Sequence, residues 1–249
     1  MRELDSGLKQ LSLTTIRSIY AETAEEARAE SLSYEQYLFT LVGRELEHRY
    51  ETRTTRWLRE SRLPLEKRLD NFELDRLPAK VRSAVTTLID GSFLERSENV
   101  LAFGNPGSGK THLLAAIGQQ LIYQGHRVLF RSCQLLVQDL LIAKRELNLA
   151  KLLNYLRRYE VIIVDDIGYV QQDRAEMEVL FALLADRYEQ RSVMISSNLP
   201  FSQWELIFKD PTTTAAAIDR LIHHSSILEL NLPSYRLEAA KIGNQGGQR

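Results

Sequence analysis

The chain has 249 residues, 44% of them hydrophobic and 26% charged, with a formal net charge of −1, the balance of a globular protein with one substantial core and room for a small second domain. It contains no run of eighteen apolar residues, which excludes a membrane-spanning helix, and its first residues lack the apolar core of a signal peptide. The single cysteine, Cys133, excludes an internal disulfide and fits a reducing cytoplasm.

Residues 1–65 read as a helical N-terminal domain. Leu8, Leu11, Ile16, Ile19 and Tyr20 recur at helical spacing, and an acidic, alanine-rich stretch follows. Ser33-Tyr34-Glu35-Gln36 has the form of a capping box and opens a long helix. Its expected core-facing stripe is Tyr34, Tyr37, Leu38, Leu41, Leu46 and Tyr50. Charge changes sign along this domain. Residues 1–43 carry four Lys/Arg against seven Asp/Glu, and residues 44–68 carry eight against five. Arg49, Arg53 and Arg56, at i, i+4 and i+7, share one helix face. Such a face serves equally as solvated surface or as a surface that tracks phosphates. Leu63-Pro64 ends the helical region.

After a lead-in in which Leu69, Phe72 and Leu74 can dock either on the core or beside a nucleotide base, strands and helices alternate. Short apolar, mostly β-branched runs at 100–103, 128–131, 161–164, 193–196 and 227–230 predict five buried parallel strands with helices on both faces. The polar tail 243–249 reads as disordered. The five histidines and Cys133 make no metal-ligand spacing beyond the adjacent His223-His224, which reads as a helix-end feature.

The first strand leads into Gly104-Asn105-Pro106-Gly107-Ser108-Gly109-Lys110-Thr111, a G-x-x-x-x-G-K-[ST] phosphate-binding loop placed between strand and helix. Its glycines let backbone N–H groups turn inward, and the helix start adds unpaired donors. In this pattern Lys110 reaches the β- and γ-phosphates of ATP and the Thr111 hydroxyl holds Mg²⁺. The third strand ends in Asp165-Asp166. Adjacent acids at the end of a buried strand imply a cation: Asp165 for the Mg²⁺ shell, Asp166 for the attacking water, the plainer reading being turn caps. Asn198, at the tip of the fourth strand, reads either as a group orienting that water or as a turn asparagine before Leu199-Pro200. Arg220 reads either as an ion-pair partner of Asp219 or Glu229, or as an arginine completing a neighbouring subunit's site.

Together the loop at 104–111, the Asp165-Asp166 pair, Ser196-Ser197-Asn198 and Asp219-Arg220-Leu221 resemble an AAA+ ATPase of the initiator and loader clade. The capped arginine-rich helix, Leu69-Asp70-Asn71-Phe72 and Leu232-Pro233-Ser234-Tyr235-Arg236 make it most similar to the IstB family, ATPase helpers of insertion-sequence transposition, with DnaC-type helicase loaders next. The resemblance implies an AAA+ domain over 66–242, with Asp165 on Mg²⁺, Asp166 as the catalytic acid position, Asn198 as sensor and Arg220 as an arginine finger acting in trans. Asp166 departs from the glutamate common in AAA+ proteins. The nineteen residues after Leu230 leave no room for the usual helical lid, so that Arg236 is the remaining candidate for a second sensor. The resemblance also implies a DNA-contacting helical insertion between the second and third strands, with Lys144, Arg145 and Lys151 as contacts.

The implied function is an ATP-dependent, Mg²⁺-dependent ATPase that forms a homo-oligomeric ring or spiral on double-stranded DNA and assists a transposase of IstA type. The alternative is a replicative helicase loader of DnaC type, whose ATPase core would be the same. A P-loop small-molecule kinase needs an acceptor pocket and a lid, and neither is visible in the sequence. An architectural DNA binder using ATP only as glue would differ in failing to hydrolyse it.

Overall fold

The computed structural model describes residues 2–168, 174–204, 215, 218–219 and 221–235. The chain packs as two compact units, Met1–Arg56 and Trp57–Arg249. Among the described residues no helix is long and apolar enough to cross a membrane.

The first unit is helical: α1 (Arg2–Gln10), α2 (Thr14–Ala29) and most of α3 (Tyr34–Ser61). The capping box forms at the start of α3, where Ser33 N donates to Gln36 Oε1 at 2.8 Å and Gln36 N donates to Ser33 Oγ at 3.2 Å. The expected stripe of α3 is only partly covered. Leu41 is buried and Tyr37 half-buried, its hydroxyl donating to Tyr20 O, whereas Tyr34, Leu38, Leu46 and Tyr50 are exposed. Helical spacing says which residues share a face, not whether another element covers it.

The expected row of three arginines is also altered. Arg49 is drawn off by Glu45 at 2.7 Å and by Ser12 O at 2.6 Å, while Arg53 lies near the Tyr50 ring at 5.9 Å. Glu45 is buried and accepts the N–H groups of Thr15 and Ile16 at 2.8 and 3.1 Å, so it caps the start of α2, which has no cap of its own. An anion suits that position because a helix start presents unpaired donors and the positive end of its dipole.

The second unit is a three-layer α/β domain. Strands β1 (Asn99–Phe103), β2 (Val128–Ser132), β3 (Val161–Asp165), β4 (Ser192–Ser197) and β5 (Ser225–Glu229) form one parallel sheet in the order β2-β3-β4-β1-β5. Alternate strand residues feed opposite layers. Val100, Ala102, Ile163 and Met194 pack against α4 (Ala79–Ile89), the short α5 (Ser92–Glu95) and α6 (Lys110–Tyr123). Leu101, Ile162, Val164 and Ile195 pack against α7 (Cys133–Arg145), α8 (Leu149–Leu156) and α9 (Arg174–Arg187). Burial on both faces is why these strands read as continuous apolar runs. Trp57, Leu58 and Leu63 belong to the α4–α6 layer, so the division of the chain falls inside α3, earlier than position 65.

Two buried polar side chains pin the sheet at the end where its strands begin. Asn99 accepts from Val193 N at 2.9 Å and donates to Leu221 O at 3.3 Å. Arg187 donates to the carbonyls of Leu156, Tyr159, Glu160 and Ser192. Burial, and then Arg191, pushes its guanidinium down to about 9, which leaves it charged at neutral pH.

Burial pushes the Glu45 carboxyl up, but Arg49 and the backbone N–H groups of Ile16 and Thr15 outweigh it and leave it below its ordinary 4.5. A depressed native value adds stability that is complete above that unfolded value and is lost as pH falls through the native one. Hydrogen exchange at Thr15 and Ile16 is therefore expected to accelerate as pH drops below 4.5, beyond the intrinsic pH dependence of exchange. Glu45→Gln should cost about 1–3 kcal/mol at neutral pH and flatten that response; wild-type protection in the variant would refute the cap.

Candidate active site

Carboxyl ends of parallel strands are where ligands of open α/β sheets bind, and the polar motifs lie there. The loop at 104–111 leaves β1 and runs into α6. Gly107 and Gly109 have φ of +80° and +95°, which L side chains rarely adopt. A Cβ on Gly107 would clash with Ser234 Oγ, and one on Gly109 would meet the Phe72 ring at 2.9 Å. Lys110 is buried and folds back across the loop so that Nζ donates to Gly104 O at 2.8 Å and Asn105 O at 3.0 Å.

Strand order makes β4 the neighbour of β1, with β3 beyond it. The two known motifs are joined across that gap. Thr111 Oγ1 donates to Asp165 Oδ1 at 2.8 Å, and Ser196, at the end of β4, donates to the same oxygen at 2.6 Å. Ser196 Oγ also accepts from Asp166 N at 2.8 Å, and Ser196 O accepts from Ile167 N at 3.1 Å. These bonds hold Asp166 in the left-handed region, φ +59°, an uncommon conformation for a residue with a side chain but one that aspartate tolerates.

Lys110, Thr111, Asp166 and Asn198 line one cavity of about 440 Å³ together with Phe72 and Tyr235. Asn198, on the wall of this cavity, has its Oδ1 buried without a hydrogen-bond partner among the described residues. Unsatisfied buried acceptors mark a place built for something else to fill. The Thr111 hydroxyl and the Asp165 carboxylate, both hard oxygen donors and already adjacent, form a set that suits Mg²⁺.

The cavity's outer wall comes from both flanks of the sheet. The Phe72 ring lies 5.3 Å from His112 and 6.2 Å from Tyr235, and the Arg76 guanidinium stacks on Tyr235 at 4.0 Å. Phe72 thus docks on the core and faces the cavity at once. The returning chain after β5 is fixed by Leu230 N donating to Phe103 O and Tyr235 N donating to Gly107 O.

The other sequence candidates divide. Arg145 and Lys151 are exposed on α7 and α8, while Lys144 is paired with Glu178 at 2.7 Å. Arg220, Arg236 and the tail 243–249 lie outside the described residues. Ser196 is the residue that motif reading missed as a site residue. Its only signal is a small hydroxyl side chain beside the better-known asparagine.

The family model for the IstB-like ATP binding protein matches residues 6–242. The chain belongs to the IstB-like family. An insertion-sequence ATP-binding protein of Sinorhizobium fredii is 43% identical over 234 residues, covering 94% of this chain and 78% of the relative. The ATP-binding protein of insertion sequence IS21 from Pseudomonas aeruginosa is 37% identical over 244 residues, 98% of this chain and 92% of the relative. Solved structures share the fold. The DnaC helicase loader superposes with a TM-score of 0.54 at 18% identity, covering 66% of this chain and 96% of that one. The replication initiator DnaA bound to AMPPCP and single-stranded DNA gives 0.59 at 16% identity, over 74% of this chain and 56% of that one. This IstB-like chain is thus an ATP hydrolase of AAA+ fold, associated by its relatives with insertion sequences.

Removing the Ser196 hydroxyl releases Asp165 Oδ1 and the Asp166 amide together. Ser196→Ala in this IstB-like protein is expected to keep ATP binding within a few-fold and to slow hydrolysis about 10–100-fold, the usual effect of losing a group that orients a metal ligand. A fluorescent ATP analogue and steady-state turnover measure the two; unchanged turnover would remove Ser196 from the site.

Proposed function

We propose that this IstB-like ATPase assembles in several copies on double-stranded DNA when ATP is bound, and assists a transposase of IstA type. The observation that carries the reading is the relationship, over more than nine-tenths of the chain, to insertion-sequence ATP-binding proteins. A DNA-bound role places the work in the cytoplasm.

The site geometry supports the ATPase part of the mechanism. The backbone N–H groups of the 104–111 loop and the start of α6 would cradle the phosphates, and Lys110 would exchange its two loop carbonyls for the β- and γ-phosphates. Thr111 and Asp165 would hold Mg²⁺, which when bound offsets charge on those phosphates. Asp166 and Asn198, which line the same cavity, would hold the attacking water. Among the described residues no arginine lines the cavity. Lys67 and Lys110 are the cations on its wall, and the further charge of an arginine finger acting in trans we assign to Arg220 of a neighbouring copy. Assembly would then depend on ATP, and hydrolysis would dismantle it.

For DNA, the six basic candidates Arg49, Arg53, Arg56, Lys144, Arg145 and Lys151 are all exposed, Arg49 and Lys144 within ion pairs to Glu45 and Glu178. They would act on phosphates, so binding should weaken steeply with salt and show little base preference.

Sizing of complexes on duplex and single-stranded DNA, with and without ATP, tests the reading. Large ATP-dependent complexes on duplex DNA are expected. Small complexes preferring single strands would turn the assignment to a helicase loader, and no DNA binding in any state would overturn both. Lys110→Ala should lose ATP binding and with it the large complexes. Asp166→Asn should bind ATP, hydrolyse it at least about a hundredfold more slowly, and hold the assembly on DNA longer. Normal hydrolysis by that variant would strike Asp166 from the catalytic set.

A further inference from the structure

At the opposite end of the sheet from the phosphate-binding loop, three side chains converge for no reason that ATP chemistry supplies. Glu189 sits in the turn between α9 and β4, and His223 and His224 lead into β5. The carboxylate and the two imidazoles bring one ligating atom each to within 4.8 Å of one another. The two adjacent histidine rings fold to the same side, their centroids 4.3 Å apart and their planes at 76°. None of the three side chains makes a hydrogen bond or ion pair among the described residues, so their approach is not accounted for by pairing with each other. All three are exposed and open to solvent.

The backbone beneath them is tightly held. The turn carrying Glu189 is closed by Gln190 N and Arg191 N, both donating to Arg187 O, and the buried Arg187 guanidinium ties that turn to Ser192 O. On the histidine side, Asn99 N donates to His224 O at 2.7 Å. The Asn99 side chain then joins the two stretches directly, taking Val193 N on one arm and Leu221 O on the other. A buried amide thus fixes the spacing between the segment that bears Glu189 and the segment that bears both histidines. The fixed frame sets the spacing of the three ligands before any ion binds.

We propose that Glu189, His223 and His224 form a binding site for a first-row divalent cation, with Zn²⁺ the fitting ion and water in the fourth position. Two imidazoles and one carboxylate form a donor set that zinc accepts and that magnesium and calcium, which prefer all-oxygen shells, do not. Tetrahedral bonds of about 2.0–2.1 Å require donor atoms roughly 3.3 Å apart, so the three side chains need draw in by only about 1.5 Å. The site lies a strand length, about 16 Å, from the nucleotide end, and is distinct from the Thr111–Asp165 pair. Occupied, it clips the α9–β4 turn to the lead-in of β5. The sequence hid it because its third ligand stands 34 positions before the histidine pair.

The test uses the full chain without an affinity tag and without nucleotide. Zn²⁺ is titrated in competition with a chromophoric chelator, and Co²⁺ is added separately as a spectroscopic probe. One equivalent of Zn²⁺ is expected to bind at micromolar concentration or below, with the visible bands of four-coordinate Co²⁺. Glu189→Gln and His224→Asn should each weaken binding on the order of tenfold or more, with unchanged circular dichroism. Absence of a saturable single equivalent, a six-coordinate Co²⁺ spectrum, or wild-type affinity in both variants would overturn the site. None of these readings depends on DNA binding or ATP turnover.

Discussion

One carboxylate oxygen holds the nucleotide end of this domain together. Asp165 Oδ1 accepts from a hydroxyl of the phosphate-binding loop and from a hydroxyl at the tip of the strand between them. The strand order forces this arrangement: β4 lies between β1 and β3, so any link from the loop to the acid must pass the end of β4. Ser196 is fully buried, and its hydroxyl is both a donor to the acid and an acceptor from the next residue's amide. A buried carboxylate left without such donors would cost several kcal/mol, so the three strand tips are placed as a set.

The cavity that results is closed by chain far from it in sequence. Phe72 arrives before β1, Tyr235 after β5, and both press on the same loop, one through Gly109 and one through a hydrogen bond to Gly107. Below them Gln119 on α6 donates to the carbonyls of Pro64 and Lys67, and the His112 ring bonds to Arg68 O. A ligand filling the cavity therefore touches the lead-in, the loop, two strand tips and the returning chain at once. That is the physical basis on which nucleotide state can be felt outside the site, because contacts from separate stretches become mutually dependent.

The sheet and its loop were readable because their causes are local. Glycines at 104, 107 and 109, a lysine-threonine pair and four-residue apolar runs each specify backbone with little outside help. What escaped reading depends on partners distant in sequence. Arg49 looks like part of a basic face until Glu45 and the Ser12 carbonyl claim it. Lys144 looks equally open until Glu178 on α9 is placed beside it. Tyr34, Leu38, Leu46 and Tyr50 have the periodicity of a core face, yet α3 carries them into solvent. Asn99 stands at the start of a strand and Ser196 within Ser196-Ser197-Asn198, and neither announces in the sequence the distant groups it will bond.

Asp166 shows how backbone and side chain divide one task. An aspartate reaches one methylene less far than a glutamate would. Here the residue is also turned into the left-handed region, where its side chain leaves the line of β3 and lines the cavity beside Lys110 and Asn198. That backbone is uncommon for any residue but glycine, and it persists because Ser196 holds the Asp166 amide on one side and the Ile167 amide on the other. The same serine fixes Asp165. Ser196 thus bonds both neighbouring acids, the side chain of Asp165 and the amide of Asp166, so the end of β4 as well as β3 sets their placement.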